Sequence, residues 1–187
     1  MGAKEADAEP QPSSSGRGDG GQRGSNGKSP GAAARTGSGP LYSILCPTYC
    51  ERDNICVLIH MVWRKLSARG TDFEFIVVDD GSPDGTADAV RALIAAKHPA
   101  HVRLFTRPGK LGLGSAYAEG LKHARGDYVI LMDADFSHHP KHLPQLIDTQ
   151  AATGADVVSG TRYVRGGGVA GWNWARKLTS RGADPIP

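Results

Sequence analysis

From Leu41 onward, short apolar runs alternate with amphipathic stretches. YSILC (42–46), FEFIVV (73–78), VRLF (102–105), YVILM (128–132) and DVVSG (156–160) are bounded by Pro, Gly and Asp and predict five strands. Between them apolar residues recur at helical spacing. Ile55, Leu58, Ile59, Val62 and Leu66 form one stripe, with Asp53 or Asn54 placed to cap it. Val90, Leu93 and Ile94 follow Asp84; Leu113, Ala116, Tyr117, Gly120 and Leu121 form a third stripe; Leu143, Leu146 and Ile147 begin near Pro140, a favoured first-turn residue. Apolar strands alternating with helices predict an α/β fold whose largely parallel sheet is covered on both faces. Ligands of such sheets sit beyond the carboxyl ends of the strands. Here those ends read PTYCE, DDGSPDG, TRPGKLGLG, DADFSHH and GTRY, which are polar, glycine-rich and acidic.

Composition divides the chain. Residues 1–40 contain no Val, Ile, Leu, Phe, Tyr or Trp, and half of them are Gly, Ser or Pro. Such a segment cannot bury a core, so 1–40 is expected to be a disordered tail and 41–187 one folded domain. The net charge of +3 is too small to argue for nucleic acid, although Arg162, Arg165, Arg176, Lys177 and Arg181 stand against a single acid, Asp184, near the end. No apolar run approaches the roughly 20 residues that span a bilayer, so membrane contact is expected to be peripheral. Cys46, Cys50 and Cys56 match no zinc spacing and suit a reducing compartment.

The acidic strand ends carry the chemistry. Asp80, Ser82, Asp84 and Gly85 imitate the start of a calcium loop, but its twelfth position is Arg91 where a bidentate Glu is required. Asp84 and Gly85 read as a turn and helix cap, whereas two adjacent acids, Asp79 and Asp80, exceed what a cap needs and suggest binding by at least one. In GKLGLGSA (109–116) the third position of a dinucleotide fingerprint is Tyr117, and no P-loop is present, leaving a plain turn or a loop whose backbone approaches a phosphate. Asp133 and Asp135 would project to one side if the chain stays extended and could face one cation. Mg²⁺ or Mn²⁺ is typically held by one or two carboxylates, waters and the phosphates of a ligand. His138, His139 and His142 lack a fourth zinc ligand and read as supporting residues.

PTYCERDN, VVDDGSPDGT, KLGLGSA, MDADFSHHP and SGTRY, in this order, resemble the motifs of the inverting glycosyltransferase family 2 over about residues 41 to 184. The resemblance implies a GT-A fold. It is greatest to members that transfer mannose from GDP-mannose to dolichyl phosphate. By that resemblance Pro47, Tyr49, Glu51, Val78 and Asp80 hold the guanosine, and Asp133 and Asp135 hold Mg²⁺ or Mn²⁺, with Asp135 catalytic. Met132 and Ala134 line the sugar nucleotide, Arg162 reaches its phosphates or mannose, and SRGAD (180–184) belongs with the acceptor. The resemblance also implies small membrane-anchoring subunits and a peripheral location on the cytosolic face of the endoplasmic reticulum membrane. Cys50 stands where the family usually has Asn, Ser137 where some members have a further polar ligand, and Asp184 where Asn is usual. Family members continue beyond the equivalent of ADPIP, so a GT-A fold incomplete at this end is expected. The alternatives are a non-catalytic shortened form that binds nucleotide sugar or partner subunits, or a family 2 enzyme with another sugar nucleotide.

Overall fold

The computed structural model describes residues 39–96 and 101–161. Four strands, β1 (Tyr42–Thr48), β2 (Phe73–Asp79), β3 (Val102–Thr106) and β4 (Tyr128–Leu131), alternate with helices α1 (Arg52–Ser67), α2 (Thr86–Ala95) and α3 (Leu113–His123). After β4 a short 3₁₀ turn, Pro140–His142, leads into α4 (Leu143–Thr153). The fold is α/β. Its sheet has the order β3-β2-β1-β4 and every pairing is parallel. The central strands β1 and β2 are buried almost throughout, as expected for strands with helices on both faces.

Side chains alternate across the sheet, and so do its two cores. Tyr42, Ile44, Cys46, Phe73, Phe75 and Val77 pack on one face with Ile55, Leu58, Ile59, Val62 and Leu66 of α1, Val90 of α2, and Leu143 and Ile147 of α4. On the opposite face Leu45, Ile76 and Val78 pack against Ala116, with Phe105, Tyr117 and Ala124 at the margin. Helix α3 lies close to this face because Gly120 has no side chain: a Cβ there would meet Val78 Cγ2 at 3.3 Å and Leu45 Cδ1 at 3.4 Å.

Two sequence expectations are corrected. DVVSG (156–160) forms no strand; Val157 is 82% exposed, and β4 is the last strand among the described residues. Local β-propensity does not make a strand without a partner to complete the ladder. Helix α1 is capped by neither Asp53 nor Asn54: Glu51 takes the N-cap position, its carbonyl accepting from Asn54 N and Ile55 N, and Asn54 Nδ2 donates to Glu51 Oε2 at 2.8 Å. The expectations for the tail, for Arg162, for the basic end and for SRGAD (180–184) fall outside the described residues, apart from Gly39 and Pro40 of the tail.

At the amino edge of the sheet the chain enters β4 through a tight crossing. Gly126 N donates to Ser43 Oγ at 2.8 Å, and a Cβ on Gly126 would lie 2.6 Å from Ser43 N and 2.7 Å from Leu41 O. Backbone atoms cannot swing aside as the end of a side chain can. Gly126→Ala is therefore expected to lower stability by about 3 kcal/mol, the upper end of the usual overpacking cost of roughly 1–3 kcal/mol. A lower urea midpoint with unchanged slope would register it.

Candidate active site

Four loops meet at the carboxyl edge of the sheet, and side chains from the β2–α2 loop and the first residue of α2 fasten the first of them. Cys50 N donates to Ser82 Oγ at 3.0 Å, Glu51 N to Thr86 Oγ1 at 3.0 Å, and Arg52 N to Asp84 Oδ2 at 3.1 Å. Ser82, Asp84 and Thr86, at alternate positions, thus bind three successive amides. Asp84 also accepts from Thr86 N and Thr86 Oγ1 at 3.0 and 2.6 Å. The hydrogen bond from the Thr86 hydroxyl, followed by those from the amides, holds the Asp84 carboxyl below its ordinary range. Asp84 is thus a loop clasp as well as the expected turn residue.

The adjacent acids divide their work. Asp79 is buried; its Oδ1 accepts from Thr48 Oγ1 at 3.0 Å and Ser82 Oγ at 2.5 Å, and its Oδ2 from Ser82 N at 3.0 Å. Asp80, also buried, forms an ion pair with Arg107 and accepts from Leu111 N at 3.2 Å. Arg107 further donates to Ser115 Oγ at 2.8 Å and Gly112 O at 3.1 Å. Asp80 therefore orders the glycine-rich β3–α3 loop. That loop returns a cation to the rim: Lys110 Nζ lies 4.3 Å from the centre of the Tyr49 ring, which is itself exposed.

The acidic turn after β4 departs from the extended geometry. Met132 N still donates to Leu45 O at 3.0 Å, but the chain bends from Ala134 onward. Asp135 Oδ1 accepts from Ser137 N at 2.9 Å, an Asx turn, and Phe136 takes a left-handed φ of 62°. Among the described residues the other non-glycine with positive φ is Cys50 at 60°, so both lie in loops of this edge. Strained backbone of this kind costs about 1–3 kcal/mol and clusters at functional sites.

Asp133 and Asp135 sit on one turn that His138 closes. Asp133 N donates to His138 Nδ1 at 3.1 Å, and Asp133 Oδ2 lies 3.8 Å from the same nitrogen, beyond hydrogen-bond distance. Asp133 Oδ1 accepts from Tyr117 Oη at 2.9 Å. Burial, then the hydrogen bond to Asp133 and its charge, pushes the Tyr117 hydroxyl well above its ordinary pKa, so it stays a donor. Hydrogen bonds from Ser137 hold Asp135 below the usual carboxylate range, with the nearby His138 contributing less. Two carboxylates with oxygen open to solvent are the donor set on offer. Among the described residues no three His, Cys, Asp or Glu side chains gather as a metal cage. Two hard oxygen donors fit Mg²⁺ or Mn²⁺ completed by the phosphates of a ligand, rather than Zn²⁺.

The predicted site residues are therefore not equally open. Tyr49, Glu51, Asp133 and Asp135 reach the edge with exposed or half-exposed side chains, and Pro47 is half-buried. Val78, Met132 and Ala134 are buried in the cores, so their route to a ligand is the main chain. The sequence reading missed Tyr117 as the partner of Asp133 and Arg107 as the partner of Asp80. In the sequence Tyr117 stands in the apolar stripe of α3 and spoils a dinucleotide fingerprint, and neither points to Asp133.

The model of "Glycosyl transferase family 2" matches residues 43–185, which contain all of the loops just described. The chain belongs to this family. It is 41% identical over 141 residues to the dolichol-phosphate mannosyltransferase of Pyrococcus furiosus, covering 75% of this chain and 38% of that protein. It is 40% identical over 144 residues to the polyprenol monophosphomannose synthase of Mycolicibacterium smegmatis, covering 75% of this chain and 52% of that one. The chain thus spans about half or less of the length of these relatives. Among solved structures, the mannosyltransferase PcManGT from Pyrobaculum calidifontis, in complex with GDP-Man and Mn²⁺, is 29% identical. The likeness covers 51% of this chain and 28% of that one, with a TM-score of 0.47.

Proposed function

We propose that this chain is a GT-A mannosyltransferase that moves mannose from GDP-mannose to dolichyl phosphate with inversion. The observation that carries the reading is the turn of Asp133 and Asp135 at the carboxyl edge of a parallel sheet, beside the loops of Tyr49 and Asp80. Similarity of about 40% to two enzymes named for mannose and polyprenol or dolichol phosphate supports the choice of sugar and acceptor. Pro47, Tyr49, Glu51, and the Val78–Asp80 strand end would hold the guanosine, Tyr49 offering a ring face and Glu51 a carboxylate. Main-chain atoms of Met132 and Ala134 would line the sugar nucleotide, and Arg162 would reach its phosphates or mannose. Asp133 and Asp135 would hold Mg²⁺ or Mn²⁺, and Asp135 is the proposed catalytic residue. When bound, that ion supplies positive charge to the departing diphosphate.

No general base is required from the chain. A phosphomonoester has a second pKa of about 6 and is already an anion at pH 7. The protein's part is alignment of that oxygen behind the sugar's anomeric carbon, with water kept away. Inversion follows from a single displacement. Among the described residues no helix is long and apolar enough to cross a membrane. A lipid acceptor would bring the enzyme to a membrane surface, in this reading the cytosolic face of the endoplasmic reticulum, through small anchoring subunits.

Because the chain spans only part of its relatives, binding and turnover are separate expectations. Titration with GDP-mannose and Mn²⁺ is expected to give saturable, metal-dependent binding. Radiolabelled mannose should then pass to dolichyl phosphate. Binding without transfer would select the non-catalytic alternative for this chain; preference for another sugar nucleotide would select a different family 2 donor.

A further inference from the structure

We infer that Tyr117 is a positioning residue for the metal-side carboxylate: its hydroxyl holds Asp133 Oδ1 so that Oδ2 is presented to the cation. The inference rests on the proposed reading of Asp133 as a metal ligand and adds a residue of α3 to that site.

The geometry makes Tyr117 a strut between two elements. Its ring packs at the edge of the core formed by Leu45, Ile76, Val78 and Ala116, which fixes the side chain on the sheet. From there the hydroxyl reaches the carboxylate of a different loop at 2.9 Å. Asp133 has few other restraints. Its amide is tied to His138 Nδ1, but its Oδ2 has His138 only at 3.8 Å. Without the phenol the carboxylate could rotate about χ2, whose energy wells are broad. A ligating carboxylate is ordinarily itself hydrogen-bonded, and losing such a partner costs about 10- to 100-fold in metal affinity or activity.

The same stretch of chain also holds the other side of the site. Leu111 N donates to Asp80 Oδ2, Arg107 pairs with Asp80, and Arg107 also binds Ser115 and Gly112 at the start of α3. Residues 107–117 therefore grip Asp80 at one end and Asp133 at the other. A shift of this segment would move the guanosine-side and metal-side acids together.

Tyr117→Phe in the full 187-residue chain removes the hydroxyl and keeps the ring. Free Mn²⁺ would be counted by electron paramagnetic resonance with GDP present, alongside the affinity for GDP without metal and the melting temperature. The expected result is Mn²⁺ affinity at least about tenfold weaker, with metal-free GDP affinity unchanged. Tyr117→Leu, which also removes packing, should melt lower yet bind Mn²⁺ as weakly as the Phe variant. Equal Mn²⁺ affinity in wild type and Tyr117→Phe would overturn the inference while leaving the metal site standing. Affinity that merely tracks melting temperature across the three proteins would assign Tyr117 to packing and overturn it as well. Wild type that binds no Mn²⁺ with GDP would instead sink the parent reading, and the inference with it.

Discussion

Asp135→Ala is expected to abolish the Mn²⁺-dependent part of GDP-mannose binding while leaving the melting temperature nearly unchanged. The two halves of this expectation have separate grounds. Asp135 is exposed, and its hydrogen bonds are local, to Ser137 two residues on, so the fold loses little with it. Its carboxyl is held in the ionised form, and Asp133 alone would leave one protein oxygen donor on the turn. The loss should exceed the roughly 10- to 100-fold that follows removal of a mere outer partner of a metal ligand. Calorimetric titration with and without Mn²⁺ measures it directly. Unaltered Mn²⁺-dependent affinity in the variant would remove Asp135 from the metal site, and with it the proposed catalytic role.

The layout of the site was legible where strands are apolar on both faces and end abruptly. FEFIVVDD and YSILCPTY announce buried strands followed by polar loops, and the structure places β2 and β1 there, one to two residues longer than the apolar runs. The four stripes of helical spacing all became helices. Several failures share a cause: partners distant in sequence. DVVSG has strand composition, but a strand also needs a neighbour, and none is paired with it. Nothing local in SPDGT shows that Ser82, Asp84 and Thr86 will bind the amides of residues 50–52. Tyr117 and Asp133 are 16 residues apart and joined only once α3 is laid on the sheet.

The sharpest instance is a charge inside an apolar run, and it supports a large stability effect. Glu74 is fully buried in β2, where its neighbours along the chain are both phenylalanines. Its Oε1 accepts from Ser43 Oγ and Arg125 N, each at 2.7 Å; its Oε2 accepts from Arg125 Nε at 2.9 Å, Arg125 Nη2 at 2.7 Å and Arg103 Nη1 at 3.1 Å. Burial alone would raise its pKa. The hydrogen bonds from Ser43 and Arg125, with the charge of Arg125, outweigh burial and hold it below 4.5. Glu74→Gln replaces an oxygen that faces donors with another donor. Breaking a buried ion pair costs about 3–5 kcal/mol, and here about 3 is expected, because the Arg103 and Arg125 side chains remain 30% and 36% exposed and can turn to water. The sign with pH follows from linkage. A carboxyl with a depressed folded pKa contributes stability above its unfolded value, and that contribution is lost as pH falls from about 4.5 through the folded value. Other depressed acids, such as Asp84 and Asp148, titrate alike in both proteins and cancel in the difference. Urea unfolding should therefore show a wide gap between wild type and Glu74→Gln at pH 7 that narrows steadily below pH ~4.5. A gap that stays constant with pH would mean that the ionised carboxylate is not what binds Ser43, Arg103 and Arg125 together at this corner of the sheet.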